Sequence, residues 1–373
     1  MPYLTYATGG VLRLAGLTRA EAIASALTPG TIDKAKHTQY FFSTQTIHTV
    51  APQYPGPRLI EFKQMMDNLV IGKIIPRDYI TFRIPKASGG TRILNAPNDE
   101  LKIVQRQVAQ AITSTLKVLP HNAAYAYTRG RCAYDAIVTH QHNGSQWFLK
   151  LDLKDFFPTI TTELVIRQLG DIFPLSAPEM AEDLTYIADI ASMDGVLPQG
   201  SPLSPILSNL VLLEFDYKLN KKIYQLNKQH FVYTRYADDI LISSVYDFNK
   251  HDLTQIVRDI MLECNLPFQI ADAKTRYGSN SGRNWNLGLM YNQDKHITIG
   301  HKKKKMLSAT LNNFITDFDD ETTRWDRVST QELQGKLSYL KSVEPKYYET
   351  LIQKYRVKYL TSPEEMMRIV VRS

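Results

Sequence analysis

The sequence has 373 residues, of which 43% are hydrophobic and 22% are charged, proportions that are typical of globular proteins and exclude a disordered or fibrous chain. The formal net charge of +7 favours a polyanionic partner without identifying it. Two cysteines are too few for a disulfide framework or a cysteine-based metal site, so we expect a reducing, cytoplasmic environment. We expect no membrane association, since no apolar run reaches the roughly 20 residues of a membrane-spanning helix.

The first third of the sequence predicts helices and one hairpin. Thr18 and Glu21 have the spacing of a capping box, which predicts a short helix over 18–28. The other predicted elements of this part are a Pro/Gly-rich connector over 51–57, a helix over 58–72, a strand–turn–strand over 80–97 with its turn at Ser88-Gly89-Gly90, and a helix over 100–116.

The middle of the chain predicts an α+β arrangement, and its end predicts a helical module. The elements predicted for the middle are a strand over 146–160 that stops at Pro158, helices over 161–169 and 179–193, a loop at 197 that becomes a long helix to 219, a hairpin over 230–245, a helix over 251–265, and strands near 268–276 and 284–292. After residue 300 the sequence is helical, basic and rich in tyrosine.

Three aspartates lie where strands are predicted. Asp152 ends the apolar run FLKLD, and Asp238 and Asp239 lie at or near the tip of the predicted hairpin, in the stretch YADDILI. A pair of adjacent aspartates is, taken alone, more often a solvated turn. A buried carboxylate needs a counter-charge, however, and hard Mg²⁺ ions prefer oxygen ligands. A metal site shared by all three aspartates is therefore the alternative to a solvated turn.

The order of several further segments resembles the reverse transcriptases. The matching segments are a fingers hairpin at 80–97, a first palm motif at 147–157, the Pro-Gln-Gly motif LPQGSPLSPILSN at 197–209, the Tyr-x-Asp-Asp motif YADD at 236–239, and the later palm and primer-grip segments AKTRYG at 273–278 and NLGLMYN at 286–292. The resemblance extends from about residue 78 to residue 300 in the order and spacing of that family.

The resemblance implies a right-hand polymerase of the α+β class, with an antiparallel palm sheet packed on helices. The implied domains are an N-terminal extension at 1–57, fingers with part of the palm at 58–145, a palm at 146–299 and a helical thumb at 300–373. It also implies RNA-directed DNA polymerisation with two Mg²⁺ ions, for which Mn²⁺ is the substitute. The implied metal ligands are the carboxylates of Asp152, Asp238 and Asp239 and the backbone carbonyl of Leu153.

The resemblance also implies a nucleotide-binding set. Phe157 lies five positions after Asp152, where its ring is expected to exclude the 2′-hydroxyl of a ribonucleotide and so to select dNTPs. The other implied nucleotide-binding residues are Lys86 and Arg92 on the hairpin, Gln199 in the Pro-Gln-Gly loop, Tyr236, and Lys274 near the leaving phosphate. Each of these residues also has a purely structural alternative. Lys86 and Arg92 are then exposed hairpin cations, Gln199 lies in a plain helix-entry loop, Tyr236 is a core tyrosine and Lys274 is a surface lysine.

Other segments indicate nucleic-acid contacts and the branch of the family. The residues implied to contact nucleic acid are Arg129 and Arg131, Leu287 and Gly288 of the primer grip, and Lys302, Lys303 and Lys304 of the thumb. The tyrosines after residue 338 either stack on bases or pack internally. Segment 121–140 resembles retron and group II intron enzymes, but 135–140 and 286–288 depart from retron patterns, which favours the defence-associated reverse transcriptases. His140 is, in the structural alternative, a packed histidine.

The expected partners are a structured noncoding RNA template, a DNA product or primer and dNTPs, in a setting of antiphage defence. A second defence protein and a homo-oligomer are further partners that the resemblance allows. Two alternatives stay open: a retron enzyme that makes branched RNA–DNA, and a nucleic-acid-binding scaffold without catalysis. The intact Asp152, Asp238 and Asp239 argue against the scaffold.

Overall fold

The structure, a computed structural model, describes residues 3–5, 11–13, 57–70, 78–85, 89–226, 230–281, 285–292, 294–319, 325–358 and 361–372. The helix predicted over 18–28, nearly all of the connector over 51–57 and the hairpin residue Lys86 lie outside these residues. The chain divides into two compact units, Met1–Tyr277 and Gly278–Ser373. The boundary predicted at residue 300 between palm and thumb stays a prediction.

The first unit combines short sheets with helices. The strands that begin in it are β1 (Tyr3–Thr5), β2 (Val11–Arg13), β3 (Tyr79–Pro85), β4 (Thr91–Pro97), β5 (Trp147–Asp152), β6 (Val232–Tyr236), β7 (Asp239–Ser244) and β8 (Arg276–Ser279). Its helices are α1 (Pro57–Val70), α2 (Asp99–Ser114), α3 (Ala133–His142), α4 (Phe156–Thr159), α5 (Thr162–Leu169), α6 (Ala181–Ala191), α7 (Ser204–Val211), α8 (Leu213–Gln225) and α9 (Lys250–Glu263).

The central sheet has the strand order β6-β7-β5-β8, and β7 pairs antiparallel with both β6 and β5. These inner strands carry buried apolar side chains on both faces, because helices cover the sheet: Leu149, Leu151, Ile240 and Ile242 lie on one face, and Phe148 and Leu241 lie on the other. The predicted hairpin over 80–97 is confirmed as the antiparallel pair β3–β4. The mixture of helices and antiparallel sheet confirms the predicted α+β class.

Four predicted elements differ from the structure. The strand predicted near 268–276 is a 3-10 turn at Asp272–Lys274 followed by β8, and the strand predicted near 284–292 is limited to Met290–Tyr291.

The strand after residue 146 ends at Asp152, not at Pro158, because Asp155 has a left-handed backbone (φ 43°) that turns the chain into α4. Pro158 lies in the only turn of this helix, where its missing N–H removes no helical hydrogen bond. The single long helix predicted up to residue 219 is two helices, α7 and α8, since Leu212 departs from helical dihedrals (ψ 8°).

Polar side chains are buried at the end of the central hairpin that lies away from the aspartates. The ring of His140 on α3 is fully buried and hydrogen-bonds to Ser243 Oγ at 2.5 Å and to Thr234 Oγ1 at 2.8 Å. Burial lowers the pKa of His140 to about 3, so this side chain is neutral at physiological pH. The structure thus places His140 as a packed histidine that joins α3 to the sheet.

The second unit has two short strands, β9 (Met290–Tyr291) and β10 (Ile297–Thr298), and four helices: α10 (His301–Asp319), α11 (Arg327–Val343), α12 (Pro345–Lys358) and α13 (Pro363–Arg372). Asp326 caps α11 by accepting a hydrogen bond from the Ser329 N–H. Tyr348 and Tyr355 are buried, so the structure gives these two tyrosines the packing role. No helix in the described part of the chain is long and apolar enough to span a membrane.

Candidate active site

The turn between β6 and β7 explains how two adjacent aspartates occupy one strand connection. The connection consists of Ala237 and Asp238, and Ala237 adopts a left-handed backbone (φ 56°). Asp238 therefore lies in the turn, while Asp239 is the first residue of β7. The carbonyl of Asp238 accepts a hydrogen bond of 3.0 Å from the Leu153 N–H, which ties the turn to the end of β5.

The pairing of β5 with β7 brings the third aspartate next to the other two. Asp152 ends β5 and pairs directly with Asp239. Burial and the neighbouring carboxylates of Asp239 and Asp152 raise the pKa of Asp238 to about 6, and burial also raises the pKa of Asp239. The sheet therefore concentrates negative charge at one point, where water screens it poorly.

Two lysines partly neutralise this charge. Lys274 Nζ lies 2.7 Å from Asp152 Oδ1, and Lys150 Nζ lies 3.0 Å from Asp239 Oδ1. The hydrogen bond to Asp152 raises the pKa of Lys274, and the Lys150 ammonium opposes the rise in the pKa of Asp239. Lys274 thus lies beside the aspartates.

The donor chemistry of this cluster fits a hard divalent cation, because three carboxylates converge at partly buried positions. The side chains are not arranged as a ligand cage, however: within the described residues, no group of three or more His, Cys, Asp or Glu side chains is positioned to hold a metal ion. Asp152 is instead paired with Lys274, and Asp239 is paired with Lys150. Metal binding at these carboxylates therefore requires the two ion pairs to separate.

Phe157 lies next to a second aromatic ring. Its own ring is buried, with 8% exposed, and its centroid lies 5.2 Å from that of Phe156 and 6.3 Å from that of Tyr127. Tyr127 has a left-handed backbone (φ 58°) and is half-exposed, and burial together with the Asp238 charge raises its pKa. Tyr127 therefore neighbours the predicted sugar-selecting residue and is close enough to the aspartates to be affected by the charge of Asp238.

The Pro-Gln-Gly loop is joined to the hairpin that precedes it. The carbonyl of Gln199 accepts a hydrogen bond of 2.6 Å from the Asn95 N–H on β4. Gly200 has φ 115°, and a Cβ atom there would lie 2.9 Å from the Asn95 carbonyl oxygen, so only glycine fits this close approach. Arg92 is exposed on β4, three residues from this junction.

Three further predicted residues, Arg131, Arg129 and Tyr236, differ from one another in burial and in their contacts. Arg131 donates a hydrogen bond of 3.1 Å to Asn122 Oδ1, and its guanidinium lies 5.1 Å from the centre of the Tyr125 ring. Arg129 is exposed. Tyr236 is half-buried at the end of β6 and is the register partner of Asp239, so it lies beside the aspartate cluster.

The primer-grip and thumb residues belong to the second unit. Leu287 and Gly288 both have positive φ, and the Gly288 carbonyl accepts a hydrogen bond of 3.1 Å from Lys303 Nζ. Lys304 is half-buried and pairs with Glu344 at 2.8 Å. Lys302 is exposed. These internal contacts leave Lys303 and Lys304 less available to phosphates than the run of four lysines predicts.

A groove of about 520 Å³ between α10 and α12 was not predicted from the sequence. Its lining includes Lys305, Asn312 and Asn313 of α10 and Tyr347 and Lys354 of α12, with no carboxylate among the described lining residues. Lys305 and Asn312 are seven residues apart, a spacing that places two side chains on the same face of a helix. This spacing is the sequence signal that would have identified the face of α10 that lines the groove. Lys150 and Asp152 are two residues apart and therefore lie on one face of a strand. This spacing would likewise have identified Lys150 as a neighbour of the aspartates.

The raised pKa of Asp238 predicts that this residue destabilises the metal-free protein. The folded-state pKa of about 6 exceeds the ordinary 3.8, so ionisation costs the folded state stability as pH rises through this range. We expect Asp238→Asn to increase the free energy of unfolding by about 1–3 kcal/mol at pH 7.5 in a chelator. Thermal denaturation measures this as a melting temperature higher by several degrees.

The same measurement at pH 4 is the internal control, because the difference between Asp238→Asn and the wild type should nearly vanish there. Asp294→Asn alters an exposed aspartate and should change the melting temperature little at either pH. A stabilisation by Asp238→Asn that is equal at pH 4 and pH 7.5 would contradict the raised pKa.

Comparisons with known proteins agree on a family. The family model described as "Reverse transcriptase (RNA-dependent DNA polymerase)" matches residues 84–311. The Retron Ec73 reverse transcriptase of Escherichia coli is 30% identical over 281 residues, covering 73% of this chain and 85% of the relative. The Retron Mx65 reverse transcriptase of Myxococcus xanthus is 30% identical over 296 residues, covering 74% of this chain and 64% of the relative.

Among solved structures, apo telomerase from Candida tropicalis is similar at 13% identity with a TM-score of 0.47. The match covers 80% of this chain and 63% of the telomerase chain. The family model alone spans more than half of the sequence and includes all three aspartates. The chain therefore belongs to the reverse transcriptase family, whose members copy RNA templates into DNA and use divalent metal ions.

Proposed function

We propose that Asp152, Asp238 and Asp239, with the backbone carbonyl of Leu153, bind the two Mg²⁺ ions with which this RNA-directed DNA polymerase adds dNTPs to a primer, and that Mn²⁺ substitutes for them. The observation that carries the proposal is the strand register, which brings Asp152 and Asp239 together and places Asp238 in the adjoining turn. Bound Mg²⁺ ions supply activation of the primer 3′-hydroxyl and stabilisation of the leaving pyrophosphate.

The lysines beside the aspartates have two roles in this proposal. Before metal ions bind, Lys150 and Lys274 limit the repulsion among the carboxylates. Lys274 is two-thirds exposed, so its flexible side chain can leave Asp152 and approach the triphosphate. Its ammonium then neutralises negative charge on the leaving phosphate.

Nucleotide selection is assigned to Phe157, supported by Tyr127. A buried ring at this position resists displacement, because its neighbours Phe156 and Tyr127 limit where it can move. A ring in this place excludes a 2′-hydroxyl by its volume alone. Arg92, Gln199 and Tyr236 complete the proposed nucleotide site, and Lys86 is its remaining predicted member.

Template and primer contacts are assigned to exposed cations. Arg129 and Lys302 are exposed and available to phosphates, and the carboxylate-free groove with Lys305 and Lys354 adds a second basic surface. Leu287 and Gly288 are proposed to contact the primer. The noncoding nature of the RNA, the antiphage setting, a second protein and a homo-oligomer stay predictions from the resemblance.

A retron enzyme that makes branched RNA–DNA is the second candidate. Two relatives at 30% identity, from Escherichia coli and Myxococcus xanthus, are named as retron reverse transcriptases. Sequencing the nucleic acid that copurifies with the protein separates the two candidates. A DNA joined to RNA through a 2′-hydroxyl supports the retron candidate, whereas unbranched cDNA supports the other.

Primer extension tests the proposed site. The wild type and Asp238→Ala/Asp239→Ala are compared with dNTPs and Mg²⁺ on an RNA template, with the copurified RNA retained because the enzyme can be selective for its own template. Losing two ligand charges should lower the extension rate by about 1,000-fold or more. The Asp294→Ala variant should match the wild type. Equal extension by the double variant and the wild type would refute the assignment of these aspartates.

Nucleotide competition tests the role of Phe157. We expect Phe157→Val to increase incorporation of ribonucleotides relative to deoxyribonucleotides by at least about 10-fold, since the smaller side chain leaves room for a 2′-hydroxyl. The control is Phe231→Val, which removes the same volume from a buried ring whose ring neighbour is Phe248. A ratio in Phe157→Val that stays at the wild-type value, or an equal rise in Phe231→Val, would show that Phe157 does not select the sugar.

A further inference from the structure

We propose that Arg235 is a positioning residue for the polymerase reaction: with its buried partner Asp216, it holds the turn that carries Asp238 and Asp239 in the conformation that binds metal ions. This inference rests on the proposed metal role of these two aspartates. Nothing in the sequence motifs or the comparisons assigns a role to Arg235 or Asp216.

Arg235 lies on β6, two residues before the turn, and its side chain is fully buried. Its guanidinium binds Asp216 of α8 through two hydrogen bonds, of 2.8 Å from Nε and 2.6 Å from Nη2. The remaining nitrogen, Nη1, donates to the Ala237 carbonyl at 3.1 Å and to Asn209 Oδ1 at 3.1 Å. The arginine therefore joins a helix of the core directly to the backbone of the turn.

The hydrogen bond from Arg235 to the Ala237 carbonyl lies at the residue of the turn whose backbone conformation is energetically unfavourable. Ala237 is a non-glycine residue with a left-handed backbone, and its carbonyl belongs to the peptide group that leads into Asp238. A planar guanidinium held at two points by Asp216 fixes the position of its third nitrogen. The orientation of this peptide group, and with it the direction of the Asp238 side chain, is thus set by Arg235.

Stability alone is a weak reason for a fully buried ion pair. The desolvation of two charges offsets much of their attraction, and apolar residues of similar size are often equally stabilising. Tyr233 donates a further hydrogen bond of 2.6 Å to Asp216, so the carboxylate is held on both sides. This network fixes a geometry that apolar packing would not, which agrees with a positioning role.

The backbone of Arg235 joins the turn to the segment that leads to Tyr127. Its N–H donates to the Ala123 carbonyl at 2.7 Å, and its carbonyl accepts from the Tyr125 N–H at 2.8 Å. Asn209, the other partner of Nη1, donates to the Ala126 carbonyl at 2.8 Å. The same network therefore supports both the metal-binding turn and the residue beside Phe157.

Direct Mn²⁺ binding tests this inference. Arg235→Lys keeps the charge opposite Asp216 but lacks the planar fork that reaches the Ala237 carbonyl at the same time. We expect a folded variant whose Kd for Mn²⁺, measured by isothermal titration calorimetry, is raised about 10-fold, with the same shift in the Mn²⁺ concentration for half-maximal primer extension. The KM for dNTPs at saturating Mn²⁺ should change less than the Kd for Mn²⁺.

Two further variants make the test specific. Arg235→Met/Asp216→Leu replaces the pair by apolar side chains, should fold, and should weaken Mn²⁺ binding at least as much. His140→Gln disturbs the same two strands away from the turn, through its bonds to Ser243 and Thr234, and should leave the Kd for Mn²⁺ unchanged. Circular dichroism and thermal denaturation establish that each variant is folded.

The outcomes separate this inference from the proposed function. A folded Arg235→Lys with the wild-type Kd, or an equal shift in His140→Gln, would overturn the positioning role. Failure of both Arg235 variants to fold would also overturn it, because the pair would then serve the fold itself. If Asp238→Ala/Asp239→Ala binds Mn²⁺ as the wild type does, the metal role of the aspartates fails instead.

Discussion

Repulsion among the carboxylates of Asp152, Asp238 and Asp239 is the constraint on which the rest of this site depends. The strand register forces two of them together and the turn adds the third, at positions where burial raises the pKa of Asp238 to about 6. A fold maintains such a cluster only if positive charge compensates it and a rigid frame holds it. The surrounding residues supply both, and the proposed metal ions complete the compensation.

The two kinds of cation near the cluster differ in how free they are to move. Lys150 and Lys274 contact the carboxylates directly and are partly exposed, so bound metal ions can take their place. Arg235 is fully buried and contacts the backbone of the turn instead of its carboxylates. The lysine charges, which metal ions can replace, thus lie at the surface of the site. The Arg235 charge lies in the core and holds the turn in position.

Much of this arrangement follows from the sequence, and the parts that do not have physical reasons. The hairpin, its aspartate-bearing tip and the Pro-Gln-Gly loop were predictable because local patterns and motif order specify them. The end of β5 was mispredicted because the apolar residues on both sides of Asp155 favoured a continuous strand, although aspartate is one of the few non-glycine residues that readily adopts a left-handed turn conformation. The Arg235–Asp216 pair was not foreseen, since residues 19 positions apart meet only through packing of β6 on α8. The pairing of Lys304 with Glu344 is likewise long-range, and it makes the Lys304 ammonium less available to phosphates.

Crystals of the wild type soaked in Mn²⁺, with anomalous diffraction recorded near the manganese edge, test the central claim most directly. The account predicts two anomalous peaks bounded by the side chains of Asp152, Asp238 and Asp239, with Lys150 and Lys274 displaced from the carboxylates. Crystals of Asp238→Ala/Asp239→Ala soaked in the same way should lack these peaks. Wild-type crystals in which Mn²⁺ binds elsewhere, while both lysines keep their carboxylate partners, would contradict it.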